Sequence, residues 1–301
     1  MNCFQIETET YRNKLSKKDR EQYLTRPGMH YVDVGDHSVR VRMEGEGEKA
    51  IVFASDSPIV IEHHDRLFEL LTPHMTVICL DMPGFGFSMP AKDFSFDVDE
   101  FADILDEVLG VLGKKSYMLS FPCFTSYVAM TLAERNPGKI ERLILPQAPD
   151  WQGELDWFTT TSGLGVLKAK GVGQVFMTGM HLYTPSVWLY PWFQLTVPDK
   201  EDRQWIRSTT MLSTKEGMIN CWASIYQAWH SCDVPDFSMV KQPTLSLWGP
   251  KDHTHYKTDK RSMLKCLPHA EYETFESSGH YSYLQEPERF TVRVLSFMGQ
   301  K

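Results

Sequence analysis

Residues 117–130 read YMLSFPCFTSYVAM, and this stretch decides the predicted fold. Its first residues form an apolar run typical of a buried strand, and its last residues continue into a helical pattern. Pro122 lies between the two and favours an extended Phe121, as at the end of a strand. The pattern predicts a strand that turns sharply into a helix, with Cys123 at the turn.

Strand and helix patterns alternate on both sides of this turn. Residues 30–34 and 38–43 alternate with period two around Gly35, which predicts a hairpin. Short runs with strand character predict further strands at 50–54, 76–80, 143–145, 243–248 and 270–275. Helical patterns occupy 64–71, 99–112, 257–266 and 283–298. Such alternation predicts the α/β class, with a mostly parallel central sheet covered by helices on both faces.

The segment from 151 to 234 differs, because the strand pattern stops there and helical and irregular stretches replace it. Seven of the eight tryptophans fall in this segment: Trp151, Trp157, Trp188, Trp192, Trp205, Trp222 and Trp229. We predict a helical lid at 151–234, inserted into a core formed by 28–150 and 235–301, and a charged N-terminal arm or helix at 1–27. The tryptophans either pack the lid onto the core or line an apolar pocket beneath it.

Composition limits the classes of partner. A net charge of −8 argues against nucleic acid or an anionic membrane. Six scattered cysteines without a C-x-x-C pair argue against a disulfide framework or a zinc site and suit a reducing compartment. Residues 1–9 lack the apolar core of a signal peptide, and no apolar run approaches the ~20 residues of a membrane span. We therefore expect a cytoplasmic protein without membrane contact, cofactor or metal.

Five segments in the right order resemble the lidded α/β-hydrolase family, and the resemblance runs from about residue 30 to the end. They are DMPGFGFS at 81–88, the turn at Cys123, PTLSLWGPKD at 243–252, GHY at 279–281 and, more weakly, the loop after Phe53. The first matches the family's D-x-P-G-x-G-x-S almost residue for residue. At the turn the family carries G-x-S-x-G, with the nucleophilic serine where this chain has Cys123. The resemblance implies an α/β-hydrolase fold with an inserted helical lid.

The same resemblance implies a catalytic triad. Cys123 takes the place of the nucleophile, Asp252 that of the acid in W-G-x-x-D, and His280 that of the base, with Asp150 as a second candidate for the acid. A thiol beside an imidazolium becomes mostly thiolate. The carboxylate holds the imidazole in the required tautomer. The alternative is that Cys123 is an inert buried thiol, as most buried cysteines are.

Two departures from the family pattern affect the site. Phe121 and Thr125 stand where the family has glycines, so the turn must be wider or relieved by its neighbours. Ser55-Asp56 stands where the family has H-G, although the backbone N–H groups of Ser57 and Phe124 remain candidates for the oxyanion hole. A carboxylate at Asp56 would repel an oxyanion. Asp56 therefore points away, is protonated, or binds a cationic group of the substrate.

The pocket residues predicted to contact the substrate are Asp56, Trp151, Trp157, Trp188, Trp192 and Trp222. His63 and His64 lie in a loop on the lid side and are expected to be exposed to solvent, with contact to the substrate as the alternative. Neither they nor the histidines after Asp252 have the spacing of metal ligands, so no metal site is predicted.

A thiol nucleophile favours an activated acyl donor, because attack on an ordinary ester forms a less stable thioester. The sequence predicts an acyl-transfer enzyme acting on a thioester, lactone or ester through an acyl-S-enzyme, by hydrolysis or by transfer to an acceptor. The resemblance supplies precedents, since thiol-bearing members include lactone hydrolases and acyl-transferring polymer synthases. The expected partner is a small-molecule acyl substrate, possibly carried as a thioester. The alternatives are a non-catalytic binding protein for a small apolar ligand and an engineered Cys123 in place of serine.

Overall fold

An eight-stranded sheet forms the centre of the protein, described here from a computed structural model. The structure describes residues 3–15, 20–161, 165–183 and 219–299, together with 196, 207 and 209–211. The strands in chain order are β1 (Met29–Val34), β2 (His37–Glu44), β3 (Lys49–Ser55), β4 (Thr76–Asp81), β5 (Phe85–Gly86), β6 (Ser116–Ser120), β7 (Ile140–Pro146), β8 (Ile219–Asn220), β9 (Thr244–Trp248) and β10 (Glu271–Thr274).

The order of the strands in this sheet is β1-β2-β4-β3-β6-β7-β9-β10. The β1–β2 and β2–β4 pairs are antiparallel, and the remaining neighbours from β4 to β10 are parallel. The short strands β5 and β8 form a separate antiparallel pair. The predicted hairpin and the predicted mostly parallel sheet are both confirmed. Because the parallel strands run in one direction, their carboxyl ends deliver the following loops to one edge of the sheet.

Helices cover the sheet. They are α1 (Gln5–Leu15), α2 (Asp65–Leu71), α3 (Val98–Leu112), α4 (Thr125–Arg135), α5 (Trp151–Thr161), α6 (Val172–Tyr183), α7 (Trp222–Trp229), α8 (Met263–Cys266), α9 (Ser282–Gln285) and α10 (Pro287–Phe297). Asp97 caps α3 by accepting a hydrogen bond from the N–H of Glu100, and Gly113 ends it in the left-handed conformation. Within the described part of the chain, no helix combines the length and apolarity needed to cross a membrane.

Two predicted helices are wrong in extent. The pattern at 283–298 forms two helices, because Pro287 lacks an N–H and begins α10 at the favoured first position. The pattern at 257–266 forms a helix only at Met263–Cys266, and turns occupy most of the residues before it. At 257–262 every residue is polar, so no apolar spacing supported the predicted helix there.

The predicted lid segment contains α5, α6 and α7 among its described residues, together with a 3-10 helix at Gly165–Lys168. Trp188, Trp192 and Trp205 lie outside the described residues. The boundaries of the lid therefore stay a prediction. At its end, β8 pairs with β5 and so links this segment to the loop that follows β4.

A buried ion network stabilises the loop after β4. Arg40 donates to both carboxylate oxygens of Glu62, at 2.9 and 2.8 Å, and to Asp81 Oδ2 at 2.9 Å. Asp81 also accepts from the N–H of Phe87 at 2.9 Å. Gly86 is required there, since a Cβ atom would come within 2.3 Å of the Asp81 carboxylate. The aspartate and the last glycine of the D-x-P-G-x-G motif are thus explained, because the backbone at Gly86 closely approaches the buried carboxylate of Asp81.

Replacing Arg40 with Met is expected to destabilise the protein by about 3–5 kcal/mol, because two buried carboxylates would lose their cation. Chemical denaturation measures the change in free energy of unfolding. Arg66→Met is the matched control, since Arg66 pairs with Glu69 and Glu288 at the surface and its loss should change stability little. Equal losses in the two variants would contradict the importance of the buried network.

Candidate active site

Cys123 lies at a sharp turn between β6 and α4. Its φ of 50° is in the left-handed region, which a residue with a side chain rarely adopts. The N–H and the hydroxyl of Thr125 both donate to the carbonyl of Pro122, at 3.0 and 2.5 Å. Phe121 and Thr125 are fully buried. The threonine hydroxyl closes the turn, and this explains how the turn forms without the family's second glycine.

The loops after β9 and β10 bring Asp252 and His280 together. His280 Nδ1 lies 2.7 Å from Asp252 Oδ2, and both side chains are buried. Asp252 also accepts from Gln147 Nε2 at 3.1 Å and from the N–H and hydroxyl of Thr254 at 2.8 and 2.6 Å. Burial raises the pKa of Asp252, but His280 outweighs it, so the pKa is lowered overall. Asp252 is therefore a carboxylate that orients the imidazole.

Asp150, the second candidate for the acid, has a different role. Its carboxylate accepts from the N–H of Gly153 at 2.8 Å, at the start of α5, and its own N–H donates to Ser262 Oγ. Its side chain thus caps a helix. Asp252, and not Asp150, is the carboxylate that accepts the hydrogen bond from His280 Nδ1.

The other nitrogen of the imidazole faces a second carboxyl group. His280 Nε2 lies 3.5 Å from Asp56 Oδ2, and Asp56 is 2% exposed. A ring nitrogen of His280, Cys123 Sγ and an Asp56 oxygen all lie within 4.8 Å of one another. Burial lowers the pKa of His280, but Asp252 and Asp56 outweigh it and raise the pKa to about 9. Asp56 faces the site, so the predicted alternative in which it points away is wrong.

Glu154, on α5, is a site residue that the sequence analysis missed. Cys123 Sγ donates a hydrogen bond to Glu154 Oε1 at 3.2 Å. Burial raises the pKa of Glu154 to about 8. Burial, followed by Glu154 and Asp56, raises the pKa of Cys123 well above its usual value, although the N–H of Phe124 acts in the opposite direction. This direction is opposite to the one that a thiolate requires, and it favours a neutral Cys123 thiol in the resting state.

The two candidates for the oxyanion hole lie in well-anchored backbone. Phe124 precedes α4, and its N–H faces Cys123 Sγ. The Ser57 hydroxyl accepts from Asn220 Nδ2 at 2.6 Å and from Trp222 Nε1 at 3.1 Å. The Tyr281 hydroxyl donates to the Ser57 carbonyl at 3.4 Å. These bonds fix the loop after β3 against the residues of β8 and α7.

The five predicted pocket tryptophans do not share one environment. Trp157 stacks on His280, with ring centroids 5.7 Å apart, and its indole N–H donates to Thr254 Oγ1 at 2.9 Å. Trp222 contacts both the Ser57 loop and the ring of Phe124. Trp151 instead packs against Trp229 and Tyr127 in an aromatic cluster. Trp188 and Trp192 lie outside the described residues.

His63 and His64 are buried, so the expectation of solvent exposure is wrong. His64 packs against Phe53 and Tyr283, and burial lowers its pKa to about 3. His255 is likewise buried, stacks on Trp157 with centroids 4.8 Å apart, and has its pKa lowered to about 3 by burial. These histidines are neutral packing residues. The sequence around these histidines did not indicate that their side chains are buried.

A cavity of about 520 Å³ lies beside the site. Trp157 and Thr254 line it together with residues of α5 and of the stretch that leads to α8. Neither Cys123 nor His280 lines this cavity. It therefore adjoins the residues that hold Asp252 and does not open onto the thiol.

Comparisons with known proteins agree with this architecture. A family model described as alpha/beta hydrolase fold matches residues 53–162, which include Cys123. A 2-hydroxy-6-oxononadienedioate/2-hydroxy-6-oxononatrienedioate hydrolase of Paraburkholderia phymatum is 24% identical over 228 residues, covering 74% of this chain and 76% of that protein.

Solved structures show the same fold. An epoxide hydrolase of Bacillus megaterium matches with a TM-score of 0.70 and 16% identity, over 90% of this chain and 100% of that chain. An esterase of Exiguobacterium antarcticum matches with a TM-score of 0.68 and 18% identity, over 90% and 99%. These matches show that the chain has the α/β-hydrolase fold.

The hydrogen bonds of Asp252 and Asp150 lead to opposite expectations for two matched variants. Asp252→Asn should lower turnover of a nitrophenyl ester or acyl thioester by about 10³–10⁴-fold, because the imidazole loses the carboxylate that sets its tautomer. Asp150→Asn should change turnover little, since that residue only caps α5. Steady-state kinetics of both variants measure this. Near-normal rates in Asp252→Asn with collapse in Asp150→Asn would reverse the assignment.

Proposed function

We propose that the protein is an acyl-transfer enzyme in which Cys123 is the nucleophile, His280 the base and Asp252 the orienting acid. The substrate is an activated acyl compound: a thioester, lactone or ester. The observation that carries the proposal is the left-handed turn at Cys123, which holds the thiol within 4.8 Å of the imidazole that Asp252 binds. A strained strand-to-helix turn that presents a nucleophile is the feature by which this fold performs acyl transfer.

In the first chemical step the thiol proton moves to Nε2 of a neutral His280. In the resting state that nitrogen carries a proton and faces Asp56, so the imidazole must first become neutral. Sγ then attacks the acyl carbon and forms the S–C bond, and the leaving group departs with the proton from Nε2. A water or acceptor molecule gives its proton to the same nitrogen in the second half and receives the acyl group, which restores the thiol.

The negative charge that develops on the acyl oxygen needs donors. The N–H groups of Phe124 and Ser57 are the candidates, and the N-terminus of α4 adds its partial positive charge at Cys123. Burial raises the pKa of Asp56, which favours the uncharged carboxyl and reduces its repulsion of an oxyanion. This supports the predicted alternative in which Asp56 is protonated.

Exclusion of water protects an acyl-thioenzyme from premature hydrolysis. We propose that the segment 151–234 is the lid that provides it. The support comes from residues of that segment at the reaction centre, since Glu154 contacts Sγ, Trp157 covers the imidazole and Trp222 anchors the Ser57 loop. Such apolar walls favour a small-molecule acyl substrate of medium chain length or aromatic character. The free state of all six cysteines favours a reducing, cytoplasmic location.

A specific observation favours a second candidate function, that of a non-catalytic binding protein. Cys123 Sγ donates to Glu154, and His280 Nε2 faces Asp56, so the thiol and the base are each engaged with a carboxyl group at rest. A protein that had lost turnover could keep this arrangement as the floor of a ligand pocket.

Mass spectrometry of the intact protein separates the two functions. After incubation with acyl thioesters from acetyl to octanoyl, the mass should increase by one acyl group, and peptide mapping should place it on Cys123. Longer chains should react better, because each buried methylene contributes about 0.8 kcal/mol. Cys123→Ala should abolish adduct and turnover, whereas the matched control Cys221→Ala, also fully buried, should keep both. Binding without adduct or turnover would establish the binding protein instead.

The pH dependence of turnover tests the role of Asp56. Only the neutral imidazole accepts the thiol proton, so kcat/KM should rise as pH increases toward the His280 pKa of about 9. Asp56→Asn removes one of the two carboxyl groups that raise this pKa. The rising limb should therefore move to lower pH, with higher activity near neutrality. Asp156→Asn, at an exposed position on the same helix as Glu154, should leave the limb in place. An unchanged limb in Asp56→Asn would contradict the account.

A further inference from the structure

We propose that Cys123, His280, Asp56 and Glu154 together form a binding site for one thiophilic divalent cation, of which Zn²⁺ is the type. The four side chains come from the loop after β3, the turn after β6, α5 and the loop after β10. All four are at most 2% exposed. They offer one sulfur, one nitrogen and two carboxyl groups, a donor set that Zn²⁺ accepts.

The distances between the donor atoms suit a tetrahedral ion. Ligands about 2.0–2.3 Å from a tetrahedral Zn²⁺ lie roughly 3.3–3.6 Å apart. Cys123 Sγ and Glu154 Oε1 are 3.2 Å apart, and His280 Nε2 and Asp56 Oδ2 are 3.5 Å apart. The sulfur, the nitrogen and the Asp56 oxygen lie within 4.8 Å of one another. These three atoms form the core of the site, and Glu154 Oε1, 3.2 Å from the sulfur, is the fourth donor that we assign to it.

The surroundings of His280 have the pattern of a zinc site. Metal-bound histidines usually donate their second N–H to a carboxylate, which fixes the ring and the tautomer. Asp252 accepts this bond from Nδ1 at 2.7 Å, so Nε2 is the nitrogen left for a metal ion, and it faces Asp56 at 3.5 Å. Gln147 and Thr254 hold Asp252 in turn, and Trp157 stacks on the ring. The imidazole is therefore pre-oriented for a ligand at Nε2.

The carboxyl group of Glu154 is an independent indication of a cation site. It is fully buried, and its Oε2 atom has no hydrogen-bond partner among the residues that the structure describes. A buried polar atom without a partner is costly, and a cation bound by this carboxyl group removes the cost. A divalent ion would also balance the charge of two carboxylates and a thiolate brought together away from water.

A rival group of donors, Asp252, His255 and His280, fits less well. Its His280 Nδ1 and Asp252 Oδ2 atoms are 2.7 Å apart, which is a hydrogen-bond distance and shorter than two ligands of one tetrahedral ion permit. The four-residue set at the thiol is therefore the one we assign.

An ion bound there occupies the sulfur and Nε2, so it blocks both the nucleophile and the base. This inhibition rests on the proposed function, whereas the binding itself does not. The chemistry implies an enzyme that thiophilic ions hold inactive and that a chelator releases. Mg²⁺, which prefers oxygen ligands and an octahedral shell, should not compete for the site.

The test is titration of the full-length, reduced protein with Co²⁺, followed by competition with Zn²⁺. We expect one equivalent of Co²⁺ to bind with the visible bands of a tetrahedral ion and the ultraviolet charge-transfer band of a sulfur ligand. Zn²⁺ should displace it and Mg²⁺ should not. Cys123→Ser should remove the charge-transfer band, and Glu154→Gln should weaken binding by about tenfold or more. The control Cys221→Ser should bind as the native protein does.

A second measurement on the unmodified protein guards against variants that fail to fold. Zn²⁺ should slow alkylation of Cys123, but not of Cys3, when labelled peptides are mapped. Absence of a sulfur band in the native protein, or binding that survives both Cys123→Ser and Glu154→Gln, would overturn the proposal. Metal binding without any acyl turnover would support this site and count against the proposed function alone. Turnover through Cys123 without metal binding would count against this site alone.

Discussion

The imidazole of His280 lies between two buried carboxyl groups, and the chemistry of the site depends on this arrangement. Asp252 binds one nitrogen at 2.7 Å, and Asp56 faces the other at 3.5 Å. The ring is therefore held as an imidazolium at neutral pH, and the neighbouring thiol is left to donate to Glu154. Catalysis requires a proton to leave the ring first. In the resting site the thiol and the imidazole are buried, and the protonated imidazole cannot act as a base.

Two clusters of buried carboxyl groups in this protein differ in how the cost of burying their charge is offset. Glu62 and Asp81 share the guanidinium of Arg40, so their charges are neutralised where they stand. Asp56 and Glu154 lack such a permanent cation, and burial raises the pKa of each. The first cluster stabilises a loop. The second is left incomplete at the reaction centre, where a substrate, a transferred proton or a metal ion completes it.

The sequence predicted the fold well, because the features that determine it are local. Period-two alternation placed the hairpin, apolar runs placed the parallel strands, and the residues around Cys123 placed the turn. The error at 283–298 came from helical spacing that ran through Pro287, whereas the polar residues at 257–262 gave no apolar spacing to support a helix. Burial of His64 was not predictable in the same way, since it depends on Phe53 and Tyr283, which are distant in the sequence.

The candidate site was predictable only where a family motif marked it. The places of Cys123, Asp252 and His280 followed from motifs, but their ionisation did not. Glu154 reaches the thiol from a helix that follows a different strand, and no spacing in the sequence links the two. No sequence spacing links the four donors of the proposed metal site either, because they come from four separate segments. Contacts between distant segments set the protonation of the thiol, so they had to be seen in three dimensions.

The ionisation of His280 in the unliganded protein tests this account most directly. Nitrogen NMR of the protein with isotope-labelled histidine follows the protonation of each ring as the pH is changed. The account predicts that His280 stays protonated well above the ordinary histidine value of 6.5 and titrates at about 9. Titration of His280 at or below 6.5 would contradict it, because the carboxyl groups of Asp252 and Asp56 would then not raise the pKa of the ring.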